Sequence, residues 1–210
     1  GDERAHFLCF KDVTSPTNQR TMIASFLPFS GVVNSAPLVF TETTALRECC
    51  LLGNLDSFAY DYVMRQKISN VHLNFFIVEQ IPTLPPDTYD RACDWARKVS
   101  LEKWISERVL KLTCTAEDML PLAEACDFKA GSFKSYKGRL HKWEPADRIQ
   151  LMAELDAAYF LLYAIEREDA EYILSTFKGI HDPCALIPGQ PTIAANILNT
   201  MDHLLALSHG

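Results

Sequence analysis

The chain has 210 residues, of which 48% are hydrophobic and 22% are charged, and its formal net charge is −7. This composition is typical of a globular protein that can bury a sizeable core, and the sequence has no uncharged apolar run long enough to span a membrane. The negative charge also argues against nonspecific binding of nucleic acid, because such binding needs cations that neutralise phosphates.

The charge is unevenly distributed along the chain. Residues 1–87 carry 6 basic and 9 acidic side chains, residues 88–144 carry 11 and 9, and residues 145–210 carry 3 and 9. The middle of the chain is therefore its only positively charged region, and this asymmetry is more informative than the total charge.

Cysteine and histidine usage indicates a reducing compartment and no metal. The seven cysteines are odd in number and form no Cys-x-x-Cys pair, which favours reduced thiols in a cytoplasmic protein over a disulfide scaffold. None of the six histidines lies at zinc-ligand spacing from Cys or Asp. The chain begins at Gly1 without an initiator methionine or a signal-peptide profile, so we expect a fragment of a longer protein.

The first 41 residues predict three strands. Residues 5–14, 20–29 and 32–41 favour β-structure, and turn-forming residues separate them. The short connections indicate a small antiparallel meander. Pro28 and Pro37 should lie at strand ends, edges or bulges, because proline cannot donate a hydrogen bond to a neighbouring strand.

Two helices are expected next. Thr43 or Thr44 can cap the first, which the sequence predicts to be interrupted at Gly53. The second, over residues 55–68, places five apolar side chains on one face: Leu55, Phe58, Ala59, Tyr62 and Val63.

Arg65 and Lys67 fall in the last turn of the second helix, where cations complement the helix dipole. Residues 72–80 are then expected to form a buried turn of helix or a short strand. The prolines of residues 82–86 force an extended exit from this segment.

The rest of the chain is predicted to be helical. Helical periodicity recurs in five segments: 88–110, 114–128, 145–165, a short one from Asp169, and about 192–207. The predicted fold class is α+β, with a small mixed β-sheet, flanking helices and a helical C-terminal part. We expect a β-rich portion over residues 1–87 and a helical portion over residues 88–210 that packs on it.

Three ordered blocks of sequence match one family pattern. The first is a strand of the form N-x-R-T-hydrophobic at residues 18–22. The second is a helix with an Asn ahead of S-x-x-x-D-Y-x-x-R-Q-K/R, followed by H-L-N-x-F-x-x-E-Q-L-P-x-x-x-P. The third, A-E-L-D-A-x-Y-x-x-L-Y-G-I-x-R-x-x-x-x-Y-I-L, corresponds to residues 153–174. The matching residues of the second block are Asn54, Ser57, Asp61, Tyr62, Arg65, Gln66, His72, Leu73, Asn74, Phe76, Glu79, Gln80, Pro82 and Pro86.

Together the blocks resemble the C-terminal target-recognition region of adenine-specific DNA methyltransferases of the combined restriction–modification kind, the type II enzymes of bacterial phage defence. The resemblance covers residues 18–86 and 148–177. It implies a target-recognition domain that binds double-stranded DNA sequence-specifically and docks on the catalytic domain of its parent protein. It implies no contact with a membrane.

The catalytic signatures of that family do not occur in this sequence. The Asn/Asp-Pro-Pro-Tyr/Phe loop that holds the flipped adenine is absent, and so is the glycine-rich turn for S-adenosylmethionine. The resemblance therefore implies a chain with no catalytic residue, no metal and no cofactor of its own. S-adenosylmethionine, the adenine-N6 methyl transfer and any endonuclease would belong to the rest of the parent.

The segment FKAGSFKSYKGRLHKW, residues 128–143, independently indicates contact with nucleic acid. It contains five basic and four aromatic residues and no acidic residue. Cations neutralise phosphates, and aromatic rings stack on bases or wedge between base steps. The alternative is a solvated loop whose aromatic side chains anchor it to the core.

Sequence readout also requires Arg, Asn or Gln side chains at base edges, and such residues occur near the predicted strand ends. Ten residues are candidate DNA contacts: Lys129, Lys134, Tyr136, Lys137, Arg139, Lys142, Arg20, Asn34, Arg65 and Lys67. We expect His72, Asn74 and Gln80 to bond to local backbone groups rather than to bases.

The alternative function is that of a protein–protein docking module in a multi-domain bacterial defence protein. Residues 145–210 have a net charge of −6, and the closing helix carries an apolar stripe suited to docking on another domain or subunit. The stripe consists of Ile193, Ile197, Leu198, Met201, Leu204 and Leu205.

Overall fold

The computed structural model describes residues 6–69, 71–131, 138–183, 187 and 189–209. In this part of the chain the fold is α+β, with one three-stranded sheet, eight α-helices and a helical C-terminal part, as predicted. None of the described helices is long and apolar enough to cross a membrane.

The sheet is antiparallel throughout the described residues rather than mixed. It consists of β1 (His6–Phe10), β2 (Ala24–Pro28) and β3 (Leu38–Val39), in the order β2-β1-β3. A meander would have the strand order β1-β2-β3, and this prediction is wrong, because the chain after β2 crosses back and pairs β3 with the other edge of β1. The amide of Phe10 donates to the carbonyl of Pro37 at 3.2 Å, and this places β3 on the far side of β1.

The strands are also shorter than predicted. The second strand begins at Ala24 because the amides of Thr21 and Met22, which lie within the predicted span, donate to the carboxylate of Asp61 instead of to a neighbouring strand. Backbone donors satisfied by a distant side chain leave no trace in the local strand pattern.

Helix α1 (Ala45–Leu55) begins at Thr44, whose side chain accepts the amide of Arg47. The predicted interruption at Gly53 is wrong, because the helix continues through it. A Cβ atom at Gly53 would lie 3.1 Å from a ring carbon of the buried Tyr159, so the glycine permits close approach of two helices rather than a break.

Helix α2 (Phe58–Lys67) begins at Ser57, and Arg65 and Lys67 lie in its last turn as predicted. Its buried face differs from the predicted one. The buried residues are Phe58, Ala59, Tyr60, Asp61 and Met64, whereas Val63 is 39% exposed.

The segment after α2 forms the short helix α3 (Phe75–Val78). In this segment Leu73 and Ile77 are buried as expected, but Phe76 is 60% exposed. An isolated bridge between Val13 and His72 holds the segment beside the continuation of β1.

The predicted helix over residues 88–110 is only partly helical. A 3-10 turn (Pro86–Asp90) is followed by an irregular loop, and α4 spans Leu101–Thr113. Similarly, residues 114–128 contain a 3-10 turn (Glu117–Met119) and α5 (Leu120–Ala125). The remaining helices lie near their predicted positions: α6 (Pro145–Leu162), α7 (Arg167–Ser175) and α8 (Ile193–His209).

One hydrophobic core includes residues from both parts of the chain, from Leu8 in β1 to Leu204 in α8. α1 packs on α4, α2 packs on α6 and α7, and α8 packs on α6 and α7. Residues before and after position 87 therefore share their buried surface.

Candidate functional site

Arg20 lies at the point where the sheet meets α2 and α6. Its guanidinium group donates to Oδ2 of Asp156 at 2.7 Å and to the carbonyl of Asp56 at 2.6 Å, and it lies 3.3 Å above the ring of Phe58. The side chain of Asp156 is only 4% exposed, and its other oxygen accepts the amide of Phe58 at 2.8 Å. Arg20 therefore joins the strand entry to two helices in a well-satisfied buried ion pair.

A second arginine–aspartate pair lies beside the first. The fully buried carboxylate of Asp61 accepts the amides of Thr21 and Met22 at 2.8 and 3.1 Å. Arg65, one helical turn later, donates to the carbonyls of residues 18 and 19 and lies 3.8 Å from the ring of Phe177. The C-terminal half of α2 thus holds the chain that leads into β2.

Burial determines the electrostatics of these groups. It raises the pKa values of Asp61 and Asp156 and lowers the pKa of Arg65. It also raises the pKa of Asp56, whose carboxylate accepts the amide of Ala24, to about 7. Such groups are expensive to bury without partners, so removing any one partner should be costly.

Asn54 forms a third connection between separated segments. Its side chain donates to the hydroxyl oxygen of Tyr163 at 2.8 Å and accepts the amide of Leu84 at 3.0 Å. The asparagine therefore fixes the exit segment of residues 82–86 against the C-terminal end of α6.

The end of α6 places a left-handed residue where the pattern of the third block has glycine. Ala164 follows the last turn with φ = +53°, and its amide donates to the carbonyl of Leu161 at 3.0 Å. The amide of Ile165 donates to the carbonyl of Phe160 at 2.9 Å, which completes a Schellman motif. The pattern has glycine at this position, where a left-handed conformation favours it.

The basic segment of residues 128–143 is described only in part. Lys134, Tyr136 and Lys137 lie outside the described residues. Lys129 is exposed and lies 3.8 Å from Asp127, and Lys142 is exposed and forms an ion pair with a neighbouring glutamate.

Arg139 differs from the lysines of this segment. Its guanidinium group donates to the carbonyls of Ala123 and Phe128 at 3.2 and 3.3 Å, and its side chain is only 18% exposed. Arg139 therefore stabilises the C-terminal end of α5 and the residues that follow it. Arg20 and Arg65 do the same where the sheet meets α2 and α6. All three arginines predicted as DNA contacts direct their charge into the protein.

The other candidate contacts are exposed. Lys67 lies on the surface at the end of α2, and Asn34 lies in a surface turn between β2 and β3. Of the three polar residues expected to bond locally, Gln80 donates to the carbonyl of Phe76, and His72 pairs with Asp12 at 2.8 Å. Asn74 occupies the N-cap position of α3 without a side-chain cap bond.

The stripe on α8 is unavailable for docking, because its central residues Ile197, Leu198, Met201 and Leu204 are buried within the chain itself. A different apolar surface exists on the sheet. Three phenylalanines lie in a row, Phe7 within β1 and Phe29 and Phe40 directly after β2 and β3, with Phe7 5.1 Å from Phe29 and 6.3 Å from Phe40 between ring centroids. Phe29 and Phe40 are 67% and 63% exposed, and the sequence pattern did not single them out.

No cluster of three or more His, Cys, Asp or Glu side chains in the described part of the chain is arranged to hold a metal ion. Comparisons of the chain with protein-family models, with curated proteins and with solved structures found no match. Its function must therefore be inferred from its own residue patterns and contacts.

Proposed function

We propose that the chain is a DNA target-recognition module, which binds double-stranded DNA sequence-specifically for an adenine-specific methyltransferase of a restriction–modification system. One observation carries the proposal. Residues of the first of the three blocks that resemble this family contact both of the others: Arg20 donates to Asp156 of the third block, and the amides of Thr21 and Met22 donate to Asp61 of the second. Convergence of the three blocks is what a shared structural framework predicts, and it supports the proposal.

The glycine position of the pattern supports the same proposal. The third block of the pattern has glycine directly after Leu-Tyr, which indicates a positive φ at that position. In this chain the position is Ala164, which has φ = +53°. The positive φ of Ala164 therefore supports a framework in common with that family, even where the residue differs. In this proposal the framework supports variable contact surfaces, and the transfer chemistry with S-adenosylmethionine takes place in the catalytic domain of the parent.

The proposed DNA contacts are the exposed lysines rather than the three arginines, which are partly buried and bonded within the protein. Lys129, Lys142 and Lys67 have accessible side chains, and Lys134 and Lys137 lie in the same acid-free segment as the first two. Phosphate binding by these lysines would supply the salt-dependent part of the affinity. Tyr136 and Asn34 would add contacts to bases.

Binding of a labelled random-sequence duplex at low and moderate salt tests the proposal. The variant Lys129→Ala/Lys134→Ala/Lys137→Ala should weaken binding and lower the salt slope by up to about 3, because three phosphate contacts are removed. The control Lys98→Ala/Lys103→Ala/Lys178→Ala removes the same charge from exposed positions elsewhere and should bind as the unmodified chain does. Equal losses in both variants would contradict the assignment of the basic segment.

The row of phenylalanines favours a second candidate function, docking on another domain of the same parent protein. Exposed aromatic rings at the centre of an interface contribute much of its binding energy. Phe29→Ser/Phe40→Ser should then leave DNA binding unchanged and weaken association with the catalytic domain. Absence of any DNA binding at low salt, together with tight association with that domain, would favour docking alone.

A further inference from the structure

A cavity of about 290 Å³ lies between α4, α6, α8 and the loop that precedes α4. Its apolar walls are formed by two tryptophans and two leucines: Trp95, Trp104, Leu204 and Leu207. The two indole rings pack edge to face, with their centroids 5.3 Å apart, whereas Leu207 is 45% exposed and marks the opening to solvent. The volume is near the lower end of the range for small-molecule sites in proteins, so a ligand of single-ring size fits best.

Arg108 places a positive charge in the wall of this cavity. Its guanidinium group lies 3.4 Å above the ring of Trp104. Its Nε donates to Glu154 at 2.6 Å, and its Nη1 donates to the carbonyl of Trp104 at 2.9 Å. Both of these neighbours also line the cavity, which fixes the guanidinium group at the cavity surface. The remaining nitrogen, Nη2, makes no hydrogen bond to the part of the chain that the structure describes.

The carboxylate of Glu154 is already fully engaged. Its Oε2 accepts Arg108, and its Oε1 accepts the side-chain amide of Gln150 at 3.2 Å. Burial nevertheless lowers the pKa of Arg108, which indicates that the ion pair offsets only part of the desolvation of the cation. A further acceptor beside the guanidinium group would therefore stabilise it.

α8 and the loop before α4 add donors that the described part of the chain does not use. Asn199, Thr200 and His203 line the cavity, and their side chains make no hydrogen bond to the described residues. Thr200 is only 6% exposed, so little water reaches its hydroxyl group. The indole N–H of Trp95 is also buried without a partner among the described residues. Buried donors without acceptors are rare in native proteins, and two in one cavity wall indicate that a ligand supplies the acceptors.

We propose that this cavity binds a small organic oxyanion, namely a carboxylate or phosphate monoester carried on an apolar body of about one ring. The guanidinium group of Arg108 and the unused donors beside it bond to the oxyanion, and the indole and leucine side chains contact the apolar body. The cavity shares no residue with the proposed DNA contacts, so this proposal does not depend on DNA binding.

Titrations of the chain with benzoate and with phenyl phosphate, followed by ligand-observed NMR, test the proposal. At least one of these anions should bind saturably, and benzamide, which has nearly the shape of benzoate but no charge, should bind roughly tenfold more weakly. Acetate and inorganic phosphate, which lack the ring, should also bind more weakly than the corresponding ring-bearing anion. The tighter of the two ring-bearing anions identifies the oxyanion as a carboxylate or a phosphate.

Three variants locate the binding in this cavity. Leu207→Trp should abolish it by filling the opening, and Thr200→Val, which keeps the shape of the side chain and removes its hydroxyl group, should weaken it about two- to tenfold. Arg108→Gln/Glu154→Gln removes both charges of the ion pair, so that neither is left buried without its partner. This double variant should bind the anions no more tightly than benzamide.

Two control variants introduce the same residues outside the cavity. Met152 is 45% exposed, as Leu207 is, and the side chain of Thr115 makes no hydrogen bond to the described residues, like that of Thr200. Met152→Trp and Thr115→Val should therefore bind the anion as the unmodified chain does. Unfolding temperatures identify any variant that fails to fold, and the isosteric Thr200→Val tests the cavity if Leu207→Trp does so.

The proposal would be overturned by any of three results. The first is no saturable binding of either ring-bearing anion. The second is binding of benzamide, or of the simple anions, as tight as that of the ring-bearing anions. The third is an equal effect of the cavity substitutions and their controls, which would place the binding elsewhere on the chain.

Discussion

Replacing Ala164 by glycine should stabilise the protein, although glycine usually destabilises helical segments. Ala164 has φ = +53° and is exposed, so its methyl group packs little apolar surface. The left-handed conformation destabilises an L-residue by about 1–2 kcal/mol, and glycine removes this strain. Glycine also has more conformational freedom in the unfolded chain, and this offsets about 0.5–1 kcal/mol of the gain. The expected net gain in the free energy of unfolding is about 0.5–1 kcal/mol.

Urea denaturation followed by circular dichroism measures this gain, and the unfolding temperature should rise by about 1–4 °C for a chain of this size. Ala206→Gly is the matched control, because Ala206 is exposed in the last part of α8 and has helical neighbours on both sides. It should lose about 0.5–1 kcal/mol. Two changes of the same sign would refute the backbone argument, and with it the explanation of the glycine in the family pattern.

Three further substitutions test the buried junction. Arg20→Met leaves the carboxylate of Asp156 buried without its cation and should cost about 3–5 kcal/mol in urea denaturation. Gly53→Ala forces a methyl group to 3.1 Å from the buried ring of Tyr159 and should cost about 1–2 kcal/mol despite the better helix propensity of alanine. In the folded chain the pKa of Asp56 is about 7, so the carboxyl group keeps its proton up to about that pH, whereas in the unfolded chain it releases the proton near pH 3.8. The folded chain therefore loses stability as the pH rises between these two values, because the ionised carboxylate is held in a less favourable environment than in the unfolded chain. Asp56→Asn should therefore gain stability relative to the unmodified chain between pH 4 and pH 7.5, by at most about 4 kcal/mol.

The contradicting results differ for each substitution. Arg91→Met removes an ion pair in which both side chains are about half exposed, so it should change stability by less than about 0.5 kcal/mol, and an equal loss at Arg20 would refute the buried pair. A neutral or stabilising Gly53→Ala would mean that the neighbouring ring can move. Parallel stability profiles of Asp56→Asn and the unmodified chain across that pH range would mean that the carboxyl group titrates normally.

The long periodic helices were predictable because their signal is local. α6 and α8 combine many turns of apolar periodicity with clear boundaries, and both begin within one residue of the predicted position. The bounds of the shorter elements could not be predicted from the local sequence, because they depend on distant residues. The N-terminal end of β2 is set by Asp61, and the continuity of α1 through Gly53 is set by a ring from α6.

In the candidate site, too, features that depend on local sequence could be predicted and features that depend on distant contacts could not. Lys67 and Lys129 are exposed, as a DNA contact must be, and their contact with DNA stays a prediction. Arg20 looked equally suitable as a DNA contact, yet its partner Asp156 is 136 positions away along the chain. The sequence offers one signal for this pair, namely that both residues lie in blocks that resemble one family pattern. The row of phenylalanines depends on strand order, which the sequence predicted incorrectly, and so it was missed.

Selection from a pool of randomised duplexes tests the central claim, sequence-specific recognition, most directly. The chain is incubated with the pool at moderate salt, bound duplexes are recovered and sequenced, and Lys129→Ala/Lys134→Ala/Lys137→Ala is carried through in parallel. The proposed function predicts enrichment of one short sequence by the unmodified chain and weaker recovery by the variant. Recovery of duplexes with no common sequence, or no recovery at any salt concentration, would contradict it.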